Sequence, residues 1–159
     1  MTRARTWEFH SSNIEWITIE PLSKARLRDD HDDVEPEPKP VPNAVWNTKV
    51  PVRKGDTVAL IYRDRRAFLT EPVQGGTLRS LFAAIERGMK RKLDPRDWDT
   101  KEKAYVLISR FVGDKKRLEL VHAFEKGKLA VKDLVGDHYF FEGPFVRSKD
   151  GVWEYGLGS

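Results

Sequence analysis

Four side chains in the last third of this sequence have the types a metal-free ribonuclease uses: Arg110, His122, Glu125 and His138. In that chemistry a base takes the proton of the ribose 2′-hydroxyl and an acid protonates the leaving oxygen. An arginine offsets the charge that builds on phosphorus. The alternation Leu118, Leu120, His122, Phe124 argues against it, because it puts His122 on the apolar face of a strand and Glu125 on the other. Read that way, His122 packs rather than reacts.

A second group is cationic. Residues 53–92 carry ten basic and four acidic side chains, a net +6. Within it, Arg63, Arg65 and Arg66 sit together, and Arg87, Lys90 and Arg91 follow at helical spacing, with Arg79 two turns earlier. Such a set can neutralise nucleic-acid phosphates, and Tyr62, Trp98 and Tyr105 offer rings on which bases stack. The competing explanation is a solvated helix face whose last-turn cations complement the helix dipole.

Gln74-Gly75-Gly76-Thr77 forms a third group, an anion cradle at a helix entrance. Free amides at Gly75, Gly76 and Thr77, backed by the helix dipole and by Arg79, could hold a phosphate. The spaced glycines and Gly-Lys-Ser/Thr ending of a P-loop are absent, as is a dinucleotide fingerprint.

Aromatic residues make the fourth group. Trp7, Trp46, Trp98 and Trp153 lie in polar surroundings. Exposed tryptophans concentrate at protein–protein contacts, and Trp46 and Trp98 are the candidates here. Metal binding finds no support: Asp29-Asp30-His31-Asp32-Asp33 lacks EF-hand spacing, and the other histidines (His10, His122, His138) are scattered. No cofactor motif is present.

These groups need elements to position them. One helix is plain at about 77–93: Leu78, Leu81, Phe82, Ile85 and Met89 make a single apolar stripe, with Thr77 as N-cap. Thr57–Tyr62, the turn Arg63-Asp64-Arg65-Arg66 and Ala67–Thr70 read as a β-hairpin with an arginine-rich tip. The turn before it, Arg53-Lys54-Gly55-Asp56, is similar to turns in PUA-like and SH3-like small barrels, some of which bind modified nucleic acid. Further strands are expected at Trp7–Phe9 and Ile14–Glu20, forming an N-terminal hairpin, and at Ala104–Val112, Arg117–Phe124, Leu129–Leu134, His138–Phe141, Phe145–Val146 and Val152–Tyr155. Leu22–Arg28 reads as a helical turn or loop. Residues 28–43, acidic and then proline-alternating, read as a flexible loop or linker between the hairpin and the main body.

The expected fold is α+β: one twisted antiparallel sheet of about six to eight strands, packed by one main helix in a single domain. The chain's 159 residues are enough for a sizeable core. With no cysteine, disulfides, thiolate metal sites and cysteine nucleophiles are excluded. No apolar run is long enough to span a membrane and no secretory signal opens the chain, so the expectation is a cytoplasmic protein without a membrane partner. The net charge of +4 splits into −3 over residues 1–43 and +7 over the remainder. The leading expectation is therefore a non-enzymatic nucleic-acid-binding protein. A protein-interaction module (inhibitor, adaptor or assembly component) using the tryptophans and the acidic loop at residues 28–43, and a metal-free ribonuclease, stand as alternatives, and the oligomeric state is open.

Overall fold

Thr77 and the apolar stripe after it do what their spacing dictates. Helix α2 (Leu78–Lys90) begins as Thr77 Oγ1 accepts from the Ser80 amide at 3.2 Å, and it buries Leu78, Leu81, Phe82, Ile85 and Met89. In the computed structural model, residues 6–7, 14–18, 23–29, 39–62, 65–69, 72–134, 140–141, 144–155 and 157–158 are described. The chain divides into two compact units, Met1–Gly88 with His138–Ser159, and Met89–Asp137. The division falls inside α2.

The first unit holds two sheets. In one, β1 (Thr6–Trp7), β8 (Phe145–Arg147), β9 (Trp153–Tyr155), β5 (Val58–Tyr62) and β6 (Arg65–Leu69) lie in that order. In the other the order is β10 (Leu157–Gly158), β7 (Phe140–Phe141), β2 (Ile14–Thr18), β3 (Arg26–Asp29) and β4 (Lys39–Pro40). The fold is thus α+β, but with two small sheets in place of one large one. Their neighbours are mostly antiparallel, while β5 runs parallel to β9, pairing Val58 with Trp153 and Leu60 with Tyr155.

Several expectations are corrected here. The strands at 6–7 and 14–18 make no hairpin with each other: β1 pairs with β8, and β2 with β3 and β7. Residues 26–29, expected as the end of a helical turn or loop (Leu22–Arg28) and the start of the acidic stretch, are a strand inside the second sheet. Arg26 and Leu27, which precede the acidic stretch, pair with Pro40 and Lys39 near its end. Pro40 is tolerated because β4 is an edge strand, where a missing amide breaks no ladder. Residues 30–38 lie outside the described residues.

Ring contacts organise the core of this unit. Phe145 meets Tyr155 at 5.6 Å, Phe82 at 6.3 Å and Trp7 at 6.1 Å, and Phe82 meets Trp46 of the short helix α1 (Asn43–Trp46) at 5.5 Å. Trp153 is fully buried and donates from Nε1 to Asp56 Oδ2 at 3.1 Å. The same carboxylate accepts the Arg53 amide at 2.8 Å, so the Arg53–Asp56 turn is fastened to β9. Burial of Tyr155 pushes its phenol well above the usual range.

The second unit is helical, which overturns the strands expected between 104 and 134. Helix α3 (Trp98–Ile108) buries Ala104, Leu107 and Ile108, and α4 (Asp114–Glu125) buries Leu120 and Phe124. Val131–Leu134 is a 3-10 turn. Caps decide the matter. Asp97 accepts from the Thr100 amide at 3.0 Å and from its hydroxyl at 2.6 Å, starting α3. Gly127, at φ 67°, ends α4 by bonding Phe124 O at 2.9 Å, while Lys128 N bonds Ala123 O at 2.9 Å. Those paired bonds form a Schellman cap, in which glycine takes the left-handed position without a Cβ penalty. The rings of Tyr105 and Phe124 meet edge-on at 5.5 Å, joining α3 to α4.

Candidate functional site

The two parts of the cationic group stand on different elements. In the hairpin, Tyr62 pairs with Arg65 and Ile61 with Arg66, which leaves Arg63 and Asp64 as the connecting residues, outside the described set. A register shift between Ala59 and Ile61 inserts one extra residue in β6, so the hairpin is bulged.

Arg79, Arg87 and Lys90 project from α2, and Arg91 follows directly. Arg79 is exposed and donates from Nη2 to Asn43 Oδ1 at 3.1 Å. Arg87 is half-buried and donates from Nη2 to the Pro72 carbonyl at 3.3 Å. Lys90 and Arg91 are exposed. Part of this charge thus already works inside the fold: Arg79 holds α1 and Arg87 holds the strand-to-helix connection.

At the helix entrance, two amides of the first helical turn, those of Leu78 and Ser80, have partners. An antiparallel bridge joins Lys49 to Thr77, in which Val50 N bonds Gly76 O at 3.0 Å and Leu78 N bonds Thr48 O at 2.9 Å. With the Ser80 amide on Thr77, two donors of the first helical turn are consumed by the protein. The glycines have a packing reason as well. A Cβ on Gly75 would meet Ser80 Oγ at 3.0 Å, and one on Gly76 would meet Val52 O at 3.4 Å. Close approach to Ser80 thus accounts for Gly75, and capping accounts for Thr77.

Of the catalytic group, His138 lies outside the described residues. His122 is not packed on a sheet face: it is exposed on α4, and Glu125 is also exposed, three residues on and so on a neighbouring side of the helix. Arg110 is half-buried in the turn after α3, its amide bonded to Leu107 O at 3.2 Å. The error was one of period. Leu120 and Phe124 satisfy a spacing of two and of four alike, and the structure takes the latter.

Tryptophan exposure separates the aromatic candidates. Trp46, expected at a partner surface, is buried against Phe82. Trp153 is buried and Trp7 half-buried. Trp98, the first residue of α3, is 75% exposed. Val112, in the α3–α4 turn, and Leu118, in α4, are also exposed; Leu118 thus does not join Leu120 and Phe124 on an apolar face as the alternation implied.

Among the described residues no group of three or more His, Asp or Glu side chains comes together as a metal site. Nor is any described helix long and apolar enough to cross a membrane. Comparison with protein-family models, with characterised proteins and with solved structures found no match to this chain.

Proposed function

We propose that this chain is a small, non-enzymatic nucleic-acid-binding protein that contacts phosphates through the basic β5–β6 hairpin and helix α2. The reading rests on the net +6 of residues 53–92, concentrated on one hairpin and one helix. Arg63, Arg65, Arg66, Arg79, Arg87, Lys90 and Arg91 are the contacts it assigns. Sequence-independent phosphate binding needs cations in ordered elements rather than a catalytic constellation, and counterion release makes such binding fall steeply with salt.

Titration of labelled RNA and DNA over a salt series tests it. Binding should weaken linearly in log–log form, and converting Arg87, Lys90 and Arg91 to Ala should flatten the slope by about one unit per residue. Absence of binding at about 50 mM salt, or binding indifferent to salt, overturns the reading.

A second reading, a protein-interaction module, draws support from the 75% exposure of Trp98. Capture of a defined partner that Trp98→Ala abolishes, with nucleic-acid binding absent, would replace the first reading by this one.

A further inference from the structure

Four large apolar side chains among the described residues are exposed, and three of them (Trp98, Val112 and Leu118) belong to the α3–α4 helical pair. Val112 is the extreme case at 93% exposure, in the turn between the helices, and Leu118 follows at 56% in α4. This turn is not slack. Arg110 N bonds Leu107 O at 3.2 Å and Phe111 N bonds Ile108 O at 3.0 Å. Arg117 bonds the Phe111 carbonyl from Nη1 at 2.6 Å, its amide bonds Gly113 O at 3.2 Å, and Nη2 pairs with Asp114. An ordered turn therefore presents an apolar side chain to solvent, where it gains nothing from the fold.

Charge narrows what could cover it. Asp114 and Arg117 neutralise each other. Lys115 and Lys116 are exposed, and among the described residues neither forms an ion pair. Lys115 lies three residues before Leu118 and so on the same side of α4. Glu119 lies one turn after Lys115, and Glu125 is followed by the exposed Lys126, so the lysines of the first turn are the exposed positive charges nearest Val112 in sequence. Phosphate alone would satisfy the lysines but leave Val112 and Leu118 in water. An anionic lipid surface answers both, taking the apolar side chains among the acyl-chain ends and the ammonium groups at the headgroups.

We infer that the α3–α4 turn is a peripheral contact for anionic membranes, inserting Val112 beside Lys115 and Lys116. The inference is independent of the nucleic-acid reading, because it uses none of the residues assigned to that contact.

Co-sedimentation of the full chain with vesicles of phosphatidylcholine containing phosphatidylserine tests it, against vesicles of phosphatidylcholine alone. Binding should require phosphatidylserine and decline with salt. Lys115→Ala with Lys116→Ala should weaken it roughly thirtyfold, and Val112→Ser roughly tenfold. Both changes are on exposed side chains, so the thermal midpoint serves as a check that each variant is folded. No sedimentation with phosphatidylserine vesicles overturns the inference, as does sedimentation indifferent to Val112→Ser. Duplex DNA binding lost in the double lysine variant, without vesicle binding, overturns it in favour of nucleic acid at this turn.

Discussion

The two units of this chain are closed by contacts of opposite reach along the sequence. In the first, Val58 pairs with Trp153, Thr6 with Val146, and Asp56 holds the Trp153 indole. Its core ring, Phe145, gathers Trp7, Phe82 and Tyr155 from three other stretches of chain. In the second, most of the joints are local: the Asp97 cap, the Arg117 turn bonds, and the Gly127 cap. Its two ends are tied by a few longer crossings, Leu93 N to Leu129 O at 2.8 Å and Val131 N to Arg91 O at 3.1 Å. Among the described residues, the first unit exposes one large apolar side chain, Val146. The second exposes three. A helical pair shaped by its own caps does not need every apolar residue for its core, so the surplus is available to a partner.

The sharpest way to break this comparison is to remove one large core side chain from each unit. Trp153→Ala and Phe124→Ala each delete a fully buried ring, and each should cost about 3–5 kcal/mol. Hydrogen exchange distinguishes them. Trp153→Ala should accelerate exchange foremost in β5, β8 and β9, and Phe124→Ala foremost in α3 and α4. Equal acceleration of both units by either variant would mean that they open together, and the contrast would fail.

That contrast also explains what could be read in advance. The β5–β6 hairpin was legible because its two strands are adjacent and joined by a tight turn. The α2 stripe was legible because five apolar residues over three turns fit no other period. The parallel pairing of β5 with β9 was not legible, since no local signal links Val58 to Trp153 across the intervening chain. In the second unit the information was local but ambiguous. Ala104, Leu107 and Ile108 fit a helix, yet the run around them is apolar enough for a buried strand. Asp97, three residues before Thr100, and Gly127 after Glu125 were the signals that could have decided it. For the candidate sites, charge was visible in composition, but burial depended on packing: Trp46, beside Val45, is buried against Phe82, while Trp98, between Asp97 and Asp99, stays exposed.

A smaller effect probes the turn between the helices. Gly113 has φ 93° and ψ 131°, a conformation that a side chain disfavours, and a Cβ there would meet nothing within 4 Å. Gly113→Ala should therefore destabilise the second unit through backbone strain alone, by roughly 1–3 kcal/mol. Exchange in α4 should quicken while β8 and β9 hold. An unchanged midpoint would show that the turn relaxes freely, and would weaken the case that it presents Val112 rigidly.

The smallest effect concerns the start of α3. Hydrogen bonds from the Thr100 side chain and amide hold the Asp97 carboxyl below its ordinary value. Bonds from the Arg96 amide and side chain do the same for Asp94. A carboxyl whose folded pKa is lowered contributes stability that is present above its unfolded pKa, about 3.9, and is lost as pH falls through the folded value. Both groups are exposed to solvent, so the loss is slight and confined to acid below about pH 4. Asp97→Asn keeps an oxygen acceptor at the cap but does not titrate. Its α3 amides should exchange slightly faster than wild type at neutral pH and converge with wild type in acid. Convergence confined to α3, with β5 and β9 unmoved, is what local closure of the second unit requires. A matching acid response in those strands would place the cap's influence beyond its own unit.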